Sequence, residues 1–212
     1  MEYNYHHFPN IGYLSKKFDE VDLYPIKMEV DEIMNNFDQY ESFTPSLAGH
    51  IQKEFQLTKS CSHIEQLVLP FVDLFDETFS YLRFLNVLDK SLPWGLSRAW
   101  VNFQKKHEFN PVHNHTGVFS FVIYLKIPFT KEEESKVFPP MSNGYKRNNS
   151  NFFFEYTNSL GQIMMEDLPV YEDYENTMIF FPACMRHGVY PFYTSDDYRI
   201  SVAGNIELKT GR

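Results

Sequence analysis

The sequence predicts an α+β fold in which helices come first and lie against one face of an antiparallel β-sandwich of jelly-roll type. Helical periodicity occupies the first ninety residues, whereas short β-rich runs follow one another from about residue 96 onward. We expect one domain over residues 1–212, with helical support at about 26–90 and a β-barrel core at about 96–208.

The helical half contains two amphipathic stripes. In residues 26–37, four apolar residues recur at the spacing of one helix face, which predicts a helix with a buried side. These residues are Val30, Ile33, Met34 and Phe37. A longer stripe follows Ser60 and Ser62, either of which can serve as N-cap, and Pro70 should kink or split the second helix.

Six runs in the second half are rich in β-branched and aromatic residues and are separated by turns containing Pro, Gly, Asn and Asp. They are SRAWVNFQ, GVFSFVIYLKIP, NFFFEYT, TMIFFP, HGVYPFY and YRISVAGNIEL. The segment 131–151 is polar and turn-rich, so we interpret it as a long insertion between two strands and as a candidate lid over a pocket.

Composition excludes several classes of function. The 212 residues carry 19 Lys and Arg against 28 Asp and Glu, a formal net charge of −9, so no cationic surplus exists to neutralise nucleic acid or an anionic membrane. No apolar run approaches the roughly 18 residues of a membrane span, and the start lacks a signal-peptide pattern. We therefore expect a soluble, cytoplasmic protein that binds neither nucleic acid nor membrane.

The stretch NPVHNHTGVF places His113 and His115 one residue apart, just before a predicted strand. In extended backbone both side chains point to the same face, so the two imidazoles can hold one metal ion. His187 follows the apolar run TMIFFP and offers a third imidazole from a distant part of a barrel. The alternative interpretation is that these histidines are incidental polar loop residues.

The last predicted strand, YRISVAGNI, puts Arg199 and Ser201 on one face and aliphatic side chains on the other. If the aliphatic face packs on the helices, Arg199 points into the barrel, where an unpaired charge requires an anion. In the reverse orientation Arg199 lies in solvent or pairs with an acid such as Asp196 or Asp197.

An H-x-H pair, a later histidine after an apolar strand, and Arg-x-Ser on the next strand occur in this order in the 2-oxoglutarate- and Fe(II)-dependent oxygenases. More narrowly, NPVHNHTGVFSFVIYLKIP, MIFFPACMRHGVYPF and YRISVAGNI resemble the members of this superfamily found in bacteria and marine bacteriophages. The resemblance covers about residues 97–206 and implies a double-stranded β-helix, a cupin-like barrel, with iron at one mouth. For a phage-encoded chain it implies the host cytoplasm.

The resemblance also assigns roles to individual residues. His113 and His187 would be iron ligands. Arg199 would clamp the distal carboxylate of the cosubstrate 2-oxoglutarate, with a hydrogen bond from Ser201. Tyr124 and Asn102 are candidates for further cosubstrate hydrogen bonds, although a buried tyrosine with a satisfied hydroxyl is an equal alternative for the former.

This chain departs from the superfamily pattern at one ligand position. Most members have a carboxylate two residues after the first histidine, whereas His115 stands there in this sequence. Three interpretations follow: a three-histidine site, a carboxylate from elsewhere such as Glu155, or a site that binds no iron. We favour the three-histidine site because His115 has the position and parity of a ligand and imidazole binds iron.

The resemblance implies a dioxygenase that uses O2, converts 2-oxoglutarate to succinate and CO2, and hydroxylates a C–H bond of an unidentified small-molecule, peptide or protein substrate. Two other classes remain open. A cupin-like metalloenzyme without 2-oxoglutarate would leave Arg199 without its anion, and a non-enzymatic jelly-roll binding protein would bind no metal. The oligomeric state does not follow from the sequence.

Overall fold

The computed structural model describes residues 10–85, 92–137 and 148–209, together with residue 4. Within these residues the α-helices are α1 (Glu20–Asn35), α2 (Cys61–Val68), α3 (Pro70–Phe79) and α4 (Lys131–Lys136). The strands are β1 (Leu14–Lys17), β2 (Glu54–Gln56), β3 (Trp94–Gln104), β4 (Asn110–His113), β5 (Phe119–Lys126), β6 (Phe152–Thr157), β7 (Ile163–Leu168), β8 (Thr177–Pro182), β9 (Arg186–Val189) and β10 (Arg199–Leu208).

The strands form two antiparallel sheets. The larger sheet has six strands in the order β1-β8-β5-β10-β3-β2, and the smaller has four in the order β4-β9-β6-β7. This mixture of helices with antiparallel sheets is the predicted architecture, and it is consistent with a double-stranded β-helix. Among the described helices, none combines the length and apolar character that a bilayer crossing requires.

Each face of the larger sheet contributes to a different hydrophobic cluster. One cluster joins strand residues to the N-terminal helices and includes Ile26, Val30, Ile64, Val68, Val72, Phe75, Val101, Ile123 and Val202. The other cluster joins the larger sheet to the smaller sheet and includes Val122, Tyr124, Ile179, Phe181, Phe152 and Phe154. Because side chains alternate along a strand, the face opposite the helices is the one that meets the smaller sheet.

Local sequence signals place most of these elements. Helix α2 ends at Val68 and α3 begins at Pro70, so the predicted break at this proline is confirmed. Proline suits the first turn of the new helix because its fixed φ is helical and its missing N–H has no partner there. Ser60 is the N-cap residue of α2, yet its hydroxyl donates to Glu29 and does not cap the helix.

Four strands were not predicted from the sequence, namely β1, β2, β4 and β7. The first three have only three or four residues, which is too short for an alternating pattern to stand out. Strand β7 is mostly exposed and lies at the edge of the smaller sheet. Segment 131–151 contains helix α4, but residues 138–147 lie outside the described residues, so the lid remains a prediction.

Glu29 connects helix α1 to the segment that precedes α2. One carboxylate oxygen accepts from the backbone N–H groups of Thr58 and Lys59 at 2.7 and 2.9 Å. The other accepts from the N–H and the hydroxyl of Ser60 at 2.7 and 2.6 Å. Burial acts to raise the pKa of Glu29, but these hydrogen bonds outweigh it and hold the pKa below its usual value.

Replacing Glu29→Gln should lower the free energy of unfolding at neutral pH by about 1–3 kcal/mol, because one acceptor oxygen becomes an N–H2 group facing donors. The folded-state pKa of Glu29 lies below its unfolded value, so its stabilisation is present above the unfolded pKa and is lost as pH falls through the folded one. Urea unfolding at a series of pH values measures this, with exposed Asp31→Asn on the same helix as control. If the difference in unfolding free energy between the wild type and Glu29→Gln did not shrink as the pH falls, the role assigned to the Glu29 carboxylate would be wrong.

Candidate functional site

A cavity of about 240 Å³ lies between the two sheets. The larger sheet contributes Asn102, Tyr124 and Ser201 to its wall, and the smaller sheet contributes His113 and His187. The predicted site residues of both sheets therefore meet at one space, with Arg199 as the exception.

Strand register aligns the polar residues of the larger sheet in one row. Tyr124 is opposite Ser201, Ser201 is opposite Asn102, and Asn102 is opposite Glu54. Residues directly opposite one another in a sheet point to the same face, so all four face the cavity that they line. Glu54 was missed in the sequence because its strand, β2, has only three residues.

The structure brings the three histidines together. His113 on β4 is directly opposite His187 on β9, and His115 lies two residues beyond the end of β4. One ring nitrogen from each of the three residues lies within 4.8 Å of the others. The backbone N–H of His115 donates to the carbonyl of Ala183 at 2.8 Å, which fixes the chain after β4 against the turn after β8.

These imidazoles are suited to bind a metal ion because they are held neutral. Burial lowers the pKa of His115 to about 4, with a smaller effect from neighbouring His113, and burial also lowers the pKa values of His113 and His187. The Nδ1 of His113 lies 2.7 Å from the carbonyl oxygen of Pro111, and the Nδ1 of His187 lies 2.9 Å from that of Met185. A carbonyl only accepts, so Nδ1 carries the proton in both and Nε2 keeps its lone pair for a metal.

Glu155 does not join this cluster. It neighbours Phe154, which is opposite His187, so the alternation of the strand turns Glu155 to the other face of the smaller sheet. Its carboxylate lies 2.6 Å from the Nε of Arg186 in an ion pair. Within the described residues, the group of potential metal ligands here consists of histidines alone.

Arg199 is buried, as expected if the aliphatic face of β10 packs on the helices, and only 1% of it is exposed. Its Nε and Nη2 donate to the side-chain oxygen of Gln104 at 3.1 and 2.8 Å. Its Nη1 donates to the carbonyl of Ser150 at 2.6 Å, and Nη2 also donates to that of Tyr190 at 3.1 Å. Gln104 lines the cavity, whereas Arg199 stands behind that wall.

This environment refines the expectation that Arg199 needs an anion. Its hydrogen bonds go to neutral oxygen atoms, so its donors are largely satisfied, and the buried carboxylate of Glu134 acts on its charge electrostatically without forming a direct ion pair. The carboxylates of Asp196 and Asp197, the alternative partners, pair with Lys106 and Lys126. Among the described residues, Arg199 therefore has hydrogen-bond acceptors for its guanidinium group but no ion-pair partner.

Two of the other predicted cosubstrate residues contact each other. The Nδ2 of Asn102 lies 3.2 Å from the Oγ of Ser201, so the amide donates to the hydroxyl. Tyr124 is 2% exposed, and burial raises its pKa to about 12 although the charge of Arg199 acts in the opposite direction. Tyr124 is thus a neutral phenol at the cavity wall, close enough to Arg199 to interact with it electrostatically.

Comparisons with known proteins agree with this geometry. A family model described as "Putative 2OG-Fe(II) oxygenase" matches residues 98–205, just over half of the chain. Among curated proteins, no sequence matches this one.

Several solved structures share the fold. A Pseudomonas putida prolyl-4-hydroxylase aligns over 94% of both chains, with 12% identity and a TM-score of 0.53. The non-heme α-ketoglutarate-dependent epimerase SnoN from nogalamycin biosynthesis aligns over 94% of this chain and 77% of its own, with 10% identity and a TM-score of 0.56. HygX from Streptomyces hygroscopicus, solved with nickel and 2-oxoglutarate bound, aligns over 94% of this chain and 83% of its own, with 11% identity and a TM-score of 0.51.

At these identities the structural likeness shows a common fold. The family match is independent of that likeness, and its range includes all three histidines, Arg199 and Ser201. The chain therefore belongs to the 2OG-Fe(II) oxygenase family and is an oxidoreductase that uses Fe(II), with 2-oxoglutarate as cosubstrate.

Proposed function

We propose that the protein is a dioxygenase that hydroxylates a C–H bond of its substrate while 2-oxoglutarate is converted to succinate and CO2. The observation that carries the proposal is the convergence of His113, His115 and His187 at the wall of one cavity. When bound there, Fe(II) with 2-oxoglutarate supplies the oxidising power for O2-dependent attack on an unactivated C–H bond.

In this proposal the three histidines hold the iron through their Nε2 atoms. The carbonyls of Pro111 and Met185 fix two of the rings in the tautomer that a metal requires. A site with three neutral ligands leaves the full charge of the ion to be offset by other groups, and the anionic cosubstrate is suited to that role.

Arg199 and Ser201 are proposed to bind the distal carboxylate of 2-oxoglutarate. The buried guanidinium makes no direct ion pair within the described residues, although Glu134 acts on it electrostatically, and a buried charge without a contacting carboxylate favours an anion. Gln104 accepts from Arg199 and also lines the cavity, so it is the group that must share or give up Arg199 when the cosubstrate binds. Tyr124 and Asn102 are proposed to donate further hydrogen bonds.

The remaining walls of the cavity exclude water and orient the substrate. Phe152, Phe181, Trp100 and Val122 line the cavity beside the histidines. His187 stacks on Phe152, with ring centroids 5.4 Å apart and planes 16° apart, so the ring that bears the proposed ligand atom is held rigidly. Apolar walls also keep the oxidant away from solvent.

We also infer that the described residues form one domain in which the N-terminal helices support the larger sheet. The shared hydrophobic cluster of helices and strands supports this inference. The cytoplasmic location expected from composition remains a prediction.

His113→Ala and His187→Ala should each abolish stoichiometric Fe(II) binding, because each removes one of three ligands from a cluster that includes no carboxylate among the described residues. Anaerobic equilibrium dialysis with Fe(II) measures the stoichiometry, and circular dichroism verifies the fold. His50→Ala is a matched control, since His50 is exposed and stacks on Phe109 outside the cluster. Full iron occupancy in both variants would mean that the site lies elsewhere.

His115→Asp should retain Fe(II), because it creates the common arrangement of two histidines and one carboxylate. His115→Ala should lose most of it. If His115→Ala bound iron as tightly as the wild type, the three-histidine site would be wrong.

Arg199→Lys should weaken 2-oxoglutarate binding and Arg199→Ala should weaken it further, because lysine keeps the charge but loses the planar fork. Gln104→Glu should also weaken it, since an internal carboxylate would pair with Arg199 and compete with the cosubstrate. Calorimetric titration of the Mn(II)-substituted protein measures all three. Gln56→Glu, which adds the same charge at an exposed position on β2, is the control. An Arg199→Ala variant with wild-type affinity would contradict the assignment.

The wild-type protein should form succinate from 2-oxoglutarate slowly without substrate, and only with Fe(II) and O2 present. Mass spectrometry of succinate, with 18O2 as the oxygen source, should show one labelled oxygen atom in its carboxylate. Succinate that forms at the same rate under nitrogen would contradict the dioxygenase reaction.

A further inference from the structure

Three oxygen atoms in the histidine-lined cavity have no hydrogen-bond partner among the described residues. They are Glu54 Oε2, Asn102 Oδ1 and Asn110 Oδ1. All three side chains line the cavity. Glu54 is 1% exposed and Asn102 is 6% exposed, so both side chains are shielded from bulk solvent, and Asn110 is half-buried. Unpaired acceptors in such a position are costly unless a ligand satisfies them.

These atoms form one cluster at the β2–β3 edge of the larger sheet. Glu54 and Asn102 are directly opposite in the β2–β3 pair, a placement that puts Cβ atoms about 4.5–5.5 Å apart. Gly49 lies beside the side chains of Asn110 and Glu54. A Cβ atom at position 49 would overlap Asn110 Oδ1 and would stand 3.4 Å from Glu54 Oε1. Glycine at position 49 thus leaves open the space beside both the Glu54 carboxylate and the Asn110 amide oxygen.

The orientation of Asn102 is set by its own contact. Its Nδ2 lies 3.2 Å from the hydroxyl of Ser201 and 3.5 Å from the backbone carbonyl oxygen of the same residue. Because a carbonyl can only accept, the amide nitrogen faces Ser201, and the amide oxygen is the atom that remains without a partner. Glu54 makes no ion pair with any described lysine or arginine, although Arg98 also lines the cavity. Burial raises the pKa of Glu54 to about 7; a hydrogen bond from Thr44 acts to lower it, and the nearby charge of Glu108 adds to the rise. The cluster therefore offers acceptors and a potential negative charge.

We propose that Glu54, Asn102 and Asn110 bind a primary ammonium group, which makes amines the substrate class of this enzyme. An ammonium group has three N–H donors and no acceptor, so it matches three unpartnered oxygen atoms, and its charge offsets that of Glu54. 2-Oxoglutarate does not match these three oxygen atoms, because its carboxylates are acceptors and Glu54 would repel them; the hydrogen bond proposed from Asn102 to the cosubstrate would use the amide N–H2 group and not this oxygen. The description of the amine as the substrate rests on the proposed function.

The test compares amines with alcohols of the same shape on the Zn(II)- and 2-oxoglutarate-loaded full chain. Ligand-observed NMR titration should give tighter binding, by at least about tenfold, for ethylamine over ethanol and for putrescine over 1,4-butanediol. Glu54→Gln keeps the shape and removes the charge, so it should abolish this preference. Glu41→Gln makes the same change at an exposed position and should leave the preference intact.

Gly49→Ala provides a second variant that leaves the charge of the cluster unchanged. Its methyl group would displace the Asn110 side chain, so amine binding should weaken while alcohol binding changes little. A wild type that binds the alcohols as tightly as the amines, or a Glu54→Gln variant that keeps the preference, overturns the proposal.

Calorimetry of Zn(II) and 2-oxoglutarate binding on the same samples separates the two claims. Normal cosubstrate binding without amine preference would reject the amine site and leave the oxygenase function standing. An amine preference that depends on Glu54, in a protein that does not bind 2-oxoglutarate, would reject the proposed function and keep the amine site.

Discussion

The pairing of β4 with β9 is the constraint on which the site depends. It sets His113 opposite His187, and a shift of one residue would turn one of the two rings to the other face of the sheet. Gly188 on β9 allows both neighbouring strands, β4 and β6, to pack closely against it. A Cβ atom at this position would overlap the ring of Phe153 on β6 and would lie 3.1 Å from the carbonyl oxygen of Asn110 on β4. The smaller sheet is thus packed tightly where it presents the imidazoles.

The larger sheet forms the wall of the cavity opposite the histidines. Its buried positive group and its buried negative group lie on different strands. Arg199 lies on β10 beside Gln104 of β3, and Glu54 lies on β2 at the edge of the sheet. One strand, β3, lies between β10 and β2, so the backbones that carry Arg199 and Glu54 are two strand spacings apart, roughly 10 Å at about 4.8 Å per spacing. This separation would direct the anionic cosubstrate toward β10 and a cationic substrate toward β2, with the histidines on the facing sheet. Both molecules would then reach the same metal from different sides.

Side-chain patterns within one segment predicted much of this arrangement. The shared parity of His113 and His115 and the common face of Arg199 and Ser201 follow from the repeat of a strand, and the break between two helices follows from Pro70. The sequence left open whether Arg199 faces inward, and the structure places it in the interior. Register between distant segments was beyond the sequence, so Glu54 on a three-residue strand and the contact of Gln104 with Arg199 were missed. Backbone acceptors of Arg199, such as the carbonyl of Ser150, leave no trace in a side-chain pattern. Family membership decides between the classes that the sequence left open, in favour of a 2-oxoglutarate-dependent enzyme.

In the proposed enzyme, three histidines bind iron beside a cosubstrate whose distal carboxylate reaches Arg199. The most direct measurement is anomalous scattering at the iron edge from anaerobic crystals of the protein with Fe(II) and 2-oxoglutarate. The account predicts one strong anomalous peak at coordination distance from His113, His115 and His187, with 2-oxoglutarate extending from the metal to Arg199 and Ser201. A peak held by a protein carboxylate with the His115 ring turned away, or a cosubstrate that does not approach Arg199, would contradict it.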